Sequence, residues 1–314
     1  MAVWVAAMAA YNPKAAGEGA RVPAAWLVTN EWLRWDKFET QFAQLESACA
    51  GRLALTRVSS DAVHARLGQR DQGGAALPDL ALIMDKDVAA AGLLEASGVR
   101  CVNSATAIAL CDDKALTHVR LTQCGIAHAR TIVAPLRYRP LTRDEWERSD
   151  FVAAVDAQLG FPVVLKHAKG SWGSGVFLAG SRAELVSLLE SAGAEALLAE
   201  EFVAESAGHD ARVYMVGDEP VAAMQRFGAG GDFRANITGG GRAAPWAPPR
   251  AYVDAARAAM GALGLEIGAV DFLNPGVARP LVGEVNSNAQ FVTLAQTTGI
   301  DVAARVADHL CALA

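Results

Sequence analysis

A small parallel α/β layer followed by a larger, mainly antiparallel α+β region is the fold class that this sequence predicts. Three observations predict it. Strand and helix patterns alternate as far as Asn103, and strand pairs joined by turns take over after Gly160. A 52% hydrophobic content with only 7% aromatics suits helices packed on sheets through Ala, Val, Leu and Gly. At 314 residues the chain has room for about two domains.

Residues 1–22 read as an extension: Met1–Ala10 is apolar without the basic leader of a signal peptide, and Tyr11–Arg21 is rich in Gly, Ala and Pro. The first strand is Ala24–Val28, followed by a helix with Trp35, Phe38, Phe42, Leu45 and Cys49 at helical spacing. Leu53–Leu55 and Asp79–Met84 are strands two and three; a helix over Ala89–Ser97 and a strand over Val99–Asn103 complete the layer. Helices are expected near Ser104–Cys111 and over Asp113–Gln123, and Thr131–Ala134 is extended. Leu136–Ser149, rich in Arg and Pro, reads as a surface excursion, before a helix over Phe151–Leu159. Pro162–Lys166 and Val176–Ala179 form a strand pair around a glycine loop, and Ser181 with Glu184 signals the start of a helix to Ser191. Strands are expected at Leu197–Val203, Asp210–Val216, Pro220–Arg226, Ile267–Leu273 and Leu281–Asn286, with amphipathic helices at Tyr252–Leu263 and Val302–Leu313.

The net charge of −6 and the absence of a basic block make nucleic acid an unlikely partner on electrostatic grounds. No apolar run approaches the roughly 18 residues a bilayer requires, so no membrane partner is expected. The five cysteines (Cys49, Cys101, Cys111, Cys124 and Cys311) form no CxxC pair, which fits reduced thiols in a cytoplasmic protein.

Three segments carry chemistry. Along Leu281–Asn286 side chains alternate, so Glu284 and Asn286 share a face; if Asn274–Pro280 is the turn, Asp271 stands nearly opposite Glu284. Oxygen ligands so placed suit Mg²⁺, although a solvated polar sheet face has the same pattern. Next, a strand delivers Lys166 to the loop Gly170-Ser171-Trp172-Gly173-Ser174-Gly175, whose glycines let backbone N–H groups approach phosphate. It is neither a Walker loop nor a dinucleotide fingerprint, and a plain hairpin stays open. Third, Glu200-Glu201-Phe202-Val203 offers a strand edge to a base, and Arg212, Arg226 and Arg234 follow on later strands or turns, as an anion site or as surface ion pairs.

In their order, Cys111-Asp112-Asp113-Lys114, Lys166 with its glycine loop, Glu200-Glu201-Phe202-Val203, Asp210-Ala211-Arg212, Met224-Gln225-Arg226, Asp232-Phe233-Arg234-Ala235-Asn236 and Glu284-Val285-Asn286-Ser287-Asn288 resemble the RimK-like ATP-grasp ligases over roughly residues 100–311. The resemblance implies an extension (1–22), a pre-ATP-grasp α/β domain (23–107), and a two-lobed ATP-grasp fold holding ATP between antiparallel sheets (108–192 and 193–314). It implies that Lys114, Lys166, Gly170, Ser171 and Gly173 meet the phosphates, that Glu201 and Val203 hold adenine by backbone, and that Asp210 holds ribose. Arg226, Arg234 and Asn236 are the implied catalytic residues, and Asp271, Glu284 and Asn286 the ligands of two Mg²⁺ ions that Mn²⁺ can replace. The implied activity is ATP-dependent joining of a carboxylate to an amine, either of them a small molecule or a peptide, through an acyl phosphate, in a homo-oligomer. A non-catalytic ATP-binding subunit is the alternative. A dinucleotide oxidoreductase is disfavoured because Thr29-Asn30-Glu31-Trp32 lacks Gly-x-Gly. Asp85, Lys86 and Asp87 are placed at the acceptor pocket, bordered by Asn288-Ala289-Gln290-Phe291, which stands where the family often carries Pro-Gly.

Overall fold

The computed structural model describes residues 22–33, 35–67, 77–170, 175–229, 233–235, 240–273, 275 and 279–314. The predicted parts of Ser171, Gly173 and Asn236 lie outside the described residues.

The N-terminal layer runs β1 (Ala24–Thr29), α1 (Asp36–Cys49), β2 (Ala54–Ser59), α2 (Ser60–Leu67), β3 (Leu80–Met84), α3 (Val88–Ala96) and β4 (Arg100–Val102). The sheet order is β2-β1-β3-β4 and every pair is parallel. Central strands of such a sheet are covered on both faces, which is why β1 and β3 are nearly continuous apolar runs. Ala25, Leu27 and Leu82 pack towards Phe38 and Phe42 of α1, whereas Trp26, Val28 and Ile83 pack towards Val63 of α2 and Leu94 of α3.

Next come α4 (Ala105–Asp112), α5 (Lys114–Gln123), β5 (Thr131–Val133), α6 (Arg143–Glu147), α7 (Asp150–Gln158), β6 (Val163–His167), β7 (Val176–Ala179), α8 (Arg182–Ser191) and β8 (Leu197–Glu201). Here the order is β5-β8-β6-β7, all antiparallel. The remaining elements are β9 (His209–Val216), β10 (Glu219–Phe227), β11 (Arg242–Pro245), α9 (Arg250–Leu263), β12 (Ile267–Leu273), β13 (Leu281–Asn286), α10 (Val292–Thr298) and α11 (Val302–Leu313). Their antiparallel sheet is ordered β11-β10-β9-β12-β13.

One face of this five-stranded sheet explains where a site can form. At one end it presents Tyr214, Ala222, Met224 and Ala269, which share a core with α1, α11 and the N-terminal sheet. Two residues further along the same strands the same face turns polar, with Arg212, Arg226, Asp210, Asp271 and Glu284. The opposite face is largely apolar and packs on Tyr252, Met260 and Leu263 of α9. Asn103 fastens the layers: its buried amide donates to Ile267 O and Ser287 O (2.7 and 3.0 Å) and accepts from the N–H groups of Glu266 and Ile267 (2.8 and 3.0 Å). A Cβ on Gly268 would stand 2.7 Å from Asn286 O, so only glycine lets β13 lie this close.

The structure departs from the sequence expectations at five elements. The second strand runs to Ser59 and leads directly into α2. The Arg- and Pro-rich excursion contains α6, closed by a reciprocal capping box between Thr142 and Glu145, and its Trp146 is fully buried with Arg137 4.6 Å above the ring. β11 and α10 are the other two, each short enough to escape periodicity. Because Trp146 fills the core between α7, α8 and β6, Trp146→Ala will lower the unfolding free energy by about 3–5 kcal/mol in urea titrations. A loss below about 1 kcal/mol would show that the surface reading was right after all.

Candidate active site

The two antiparallel sheets face each other across a cleft of about 780 Å³, and the loops at the carboxyl ends of β1 and β3 close one end of it. The four-stranded sheet contributes Val164, Lys166, Val176 and Glu200; the five-stranded sheet contributes Asp210, Arg212, Arg226, Asp271, Glu284 and Asn286.

On the first wall the Lys166 Nζ donates to the Glu200 carboxylate, both side chains being largely buried. Lys114 is placed by Asp113, whose carboxylate caps α5 by accepting from the N–H groups of Ala115 and Leu116 (2.9 and 3.2 Å). Its own N–H donates to Ala168 O at 2.8 Å, and its Nζ donates to Gly170 O at 2.9 Å and lies 3.4 Å from Glu284 Oε1. Lys114 thus spans from the start of the glycine loop to the second wall. A Cβ on Gly175 (φ +72°) would meet the His167 ring at 2.7 Å, so the tight return into β7 needs glycine.

The second wall is a chain of ion pairs. Arg212 donates through Nε and Nη2 to both oxygens of Asp271, at 2.7 Å each. Arg226 grips Asp210 in the same two-pronged way (2.6 and 2.5 Å) and reaches Asp271 Oδ2 at 2.9 Å. Asp271 stands opposite Glu284 in the β12–β13 register, and Asn286 Nδ2 lies 3.3 Å from Asp271 Oδ2. Just past Asp271 the register shifts, with Phe272 opposite Val282 and Gly283 as the extra residue of a bulge, a device that re-aims neighbouring side chains. Burial alone would raise the Asp271 pKa, but Arg212 and Arg226 outweigh it and hold the carboxyl at about 2. Burial alone would likewise lower the Arg226 pKa, yet Asp271 and Asp210 raise it overall.

At the far edge, β8 ends in Glu201, whose N–H donates to Arg130 O at 2.9 Å and whose carboxylate accepts from the Arg130 N–H and guanidinium. The Val203 carbonyl accepts from Ser206 N–H at 2.9 Å, and among the described residues the Val203 N–H has no backbone partner. Phe202 and Phe233, edge to face at 6.3 Å, line this end, and Arg234 lies 5.8 Å from the Phe233 ring.

A RimK-like ATP-grasp domain model matches residues 111–310. The chain is 34% identical over 218 residues to a protein of Pasteurella multocida named "Probable alpha-L-glutamate ligase", covering 69% of this chain and 66% of that one. It is 35% identical over 219 residues to a like-named protein of Maridesulfovibrio salexigens, covering 69% and 68%. The chain belongs to the RimK-like ATP-grasp family. It spans 66%, 57% and 51% of three like-named curated relatives. Among solved structures it resembles a RimK domain ATP-grasp protein of Sphaerobacter thermophilus (TM-score 0.66, 22% identity, 91% of this chain and 98% of that one). It also resembles the D-alanine–D-alanine ligase of Bacillus anthracis complexed with ATP (TM-score 0.66, 16% identity, 94% and 97%). Both likenesses show the ATP-grasp fold.

In this RimK-like site the structure brings together Lys114, Lys166, Asp210, Arg226, Asp271, Glu284 and Asn286, with Glu201, Val203 and Arg234 along the same cleft. Both oxygens of Asp210, expected to hold ribose, are engaged by Arg226, and both oxygens of Asp271 by Arg212. Of the acidic loop, Asp85 and Lys86 line the cleft, but Asp87 instead caps α3 and pairs with His64 at 2.8 Å. Arg212, expected in an anion site or a surface ion pair, is the buried partner of Asp271, a pairing that requires knowing that β9 and β12 are neighbours. Glu200 reads in the sequence only as part of the strand edge, and its place beside Glu201 on a strand facing Lys166 could have marked it as that lysine's partner. His209, stacked on Phe227 at 4.5 Å, is a packed residue, and buried Cys111 donates its thiol to Val285 O at 3.1 Å.

The donor set fits Mg²⁺. Two carboxylates and an amide offer oxygen alone, and their small number leaves coordination sites for phosphate oxygens and water. Among the described residues no group of three or more His, Cys, Asp or Glu side chains is placed to hold a metal ion. Among the described residues no helix is long and apolar enough to cross a membrane.

Behind Lys114, a second cavity of about 30 Å³ is lined in part by His118 and His128, whose rings lie 4.4 Å apart. Burial first, and His128 second, lower the His118 pKa to about 4. An unfolded histidine ionises near pH 6.5, so the stability that neutral His118 contributes is complete above that pH and is lost as pH falls through about 4. Urea unfolding at pH 7 and pH 4 will therefore show a loss of about 1–2 kcal/mol that His118→Gln removes. An unchanged pH slope in that variant would refute the assignment.

Proposed function

We propose that this protein is an ATP-dependent carboxylate–amine ligase, forming an amide or peptide bond through an acyl phosphate and releasing ADP and phosphate. The observation that carries the reading is the row Lys114–Glu284–Asp271–Arg226 along one wall of a cleft whose other wall holds Lys166. Two cationic groups flank two carboxylates there, a combination that suits phosphate oxygens and a divalent cation. The curated relatives carry ligase names, and a D-alanine–D-alanine ligase with this fold was solved with ATP.

In this reading Glu201 C=O and Val203 N–H take the adenine edge, between Val164 and Val176 on one side and Leu273 on the other. Lys114, Lys166, Gly170 and Arg234 face the phosphates, and Ser171, Gly173 and Asn236 are assigned phosphate contacts by the family resemblance alone. Asp210 acts by holding Arg226, whose guanidinium meets the oxygens of the acyl phosphate and of the tetrahedral state that follows amine attack. Asp271, Glu284 and Asn286 would hold two Mg²⁺ ions, replaceable by Mn²⁺; the chemistry that metal supplies when bound is neutralisation of phosphate charge. The protein's own contribution is alignment of two substrates and the exclusion of competing water. The substrates are small molecules or peptides, and the five free cysteines accord with work in the cytoplasm.

The test is ADP release, by a coupled assay, from pairs of carboxylates and amines. Turnover that needs both partners supports the ligase. Tight Mg²⁺–ATP binding with no partner-dependent ADP release from a broad panel would replace it with a nucleotide-binding subunit.

A further inference from the structure

The end of the cleft remote from Phe202 is built by the N-terminal layer and by the segment after β13, and its chemistry differs from the phosphate wall. We propose that this end selects the amine substrate as an α-amino acid with an apolar or aromatic side chain, in place of an acidic one; the inference rests on the ligase reading.

Asn30 makes a single unit of two loops. Its Oδ1 accepts from Trp32 N–H at 2.9 Å, and its Nδ2 donates to the Asp85 carboxylate at 3.3 and 3.4 Å. Trp32, Leu33 and Phe38 line the cleft beside them, yet Trp32 is 81% exposed. An indole standing in water at the mouth of a pocket gains free energy when an apolar group covers it. The segment after β13 is held against α1, because Phe291 N–H donates to Gln41 Oε1 at 2.8 Å and Gln290 Nε2 lies 3.4 Å from Lys37 O.

The polar ends of an amino acid also have counterparts here. Asn288 lines the cleft, and its Oδ1 is sealed from solvent without accepting a hydrogen bond among the described residues. A shielded acceptor without a donor is costly, so rotation of the amide towards the cleft, where an amine N–H can donate to it, is favoured when such a donor arrives. Asp85 adds negative charge on the same side, and Lys37, which lines the cleft with its Nζ 4.8 Å from the Trp35 ring, adds a positive charge that an α-carboxylate would favour. An acidic side chain would bring a second carboxylate to this end. Lys86 is already joined to Asp112 at 2.6 Å, and Asp85 would repel the newcomer. Selection against charge is thus built into the same wall that favours an apolar surface.

The experiment is isothermal titration of phenylalanine, leucine, tryptophan, glutamate and aspartate into the full chain saturated with Mg²⁺ and a non-hydrolysable ATP analogue. The apolar amino acids are expected to bind about tenfold or more tightly than glutamate. Trp32→Ala is expected to erase most of that preference, and Asn288→Leu to weaken every amino acid, with affinity for the analogue reporting that each variant is folded. Glutamate binding as tightly as the apolar set, or a preference unchanged in Trp32→Ala, overturns the inference and leaves the ligase reading standing. Absence of any amino acid binding to the loaded protein also overturns it. Failure of the analogue itself to bind defeats the ligase reading, and this one with it.

Discussion

Arg226→Ala will abolish partner-dependent ADP release, by roughly 10³-fold or more, and will also cost about 3–5 kcal/mol of unfolding free energy. The second effect follows from what the guanidinium touches. It satisfies both oxygens of Asp210 and one of Asp271, in a buried setting where each carboxylate would otherwise face the other. Removing it leaves two acids with only Arg212 to neutralise them, and an uncompensated buried charge is among the most destabilising changes a protein can suffer. Arg226→Lys keeps the charge but cannot reproduce the two-pronged grip, so it should recover part of the stability and little of the turnover. The double variant Arg226→Leu with Asp210→Leu separates the effects: stability returns towards wild type while turnover stays lost. Urea unfolding and the ADP assay on the same preparations decide it. Full turnover in Arg226→Lys would remove this residue from the chemistry.

That network also marks where sequence reading reaches its limit. The facing of Asp271 and Glu284 was legible because strand alternation and a short turn fix which side chains oppose one another. Acids so close call for positive charge between them, and here Asp271 is met by guanidiniums from β9 and β10 while Glu284 pairs with Lys114 of α5. Nothing local specifies that β9 lies between β10 and β12, since β12 begins some fifty residues later and joins the sheet only after α9. The bulge at Gly283 is likewise a property of the paired strands rather than of either alone.

Composition misled at α6, where Arg and Pro suggested an exposed excursion. The decisive features there were a Thr142–Glu145 cap and one tryptophan, too few residues to register as periodicity. The N-terminal wall of the cleft was half legible. Ligands of parallel sheets gather beyond the carboxyl ends of strands, which pointed to Asp85 and Lys86 and could have pointed equally to Asn30 and Trp32 after β1. Asp87, a residue of the same loop, was drawn instead into the cap of α3, where a side-chain acceptor satisfies N–H groups that would otherwise be unpaired.

Glu284 provides the sharpest separation of folding from function. It lies beside the buried chain of ion pairs rather than within it: its side chain is 38% exposed and pairs at 3.4 Å with Lys114, itself 16% exposed. A partly exposed pair at that distance contributes little to stability, so Glu284→Gln should change the unfolding free energy by less than about 1 kcal/mol. The same substitution removes one of the two carboxylates offered to a divalent cation while keeping size and hydrogen-bonding capacity. Affinity for ATP measured with Mg²⁺ should therefore fall by about 10²-fold, and affinity measured with EDTA should hardly move or should rise slightly, because a negative charge facing phosphate is gone. The reverse pattern, an equal loss with and without metal, would mean that Glu284 serves only to hold Lys114. An unchanged Mg²⁺-dependent affinity would detach β13 from cation binding altogether, and with it the reason for two acids to stand opposite one another across β12 and β13.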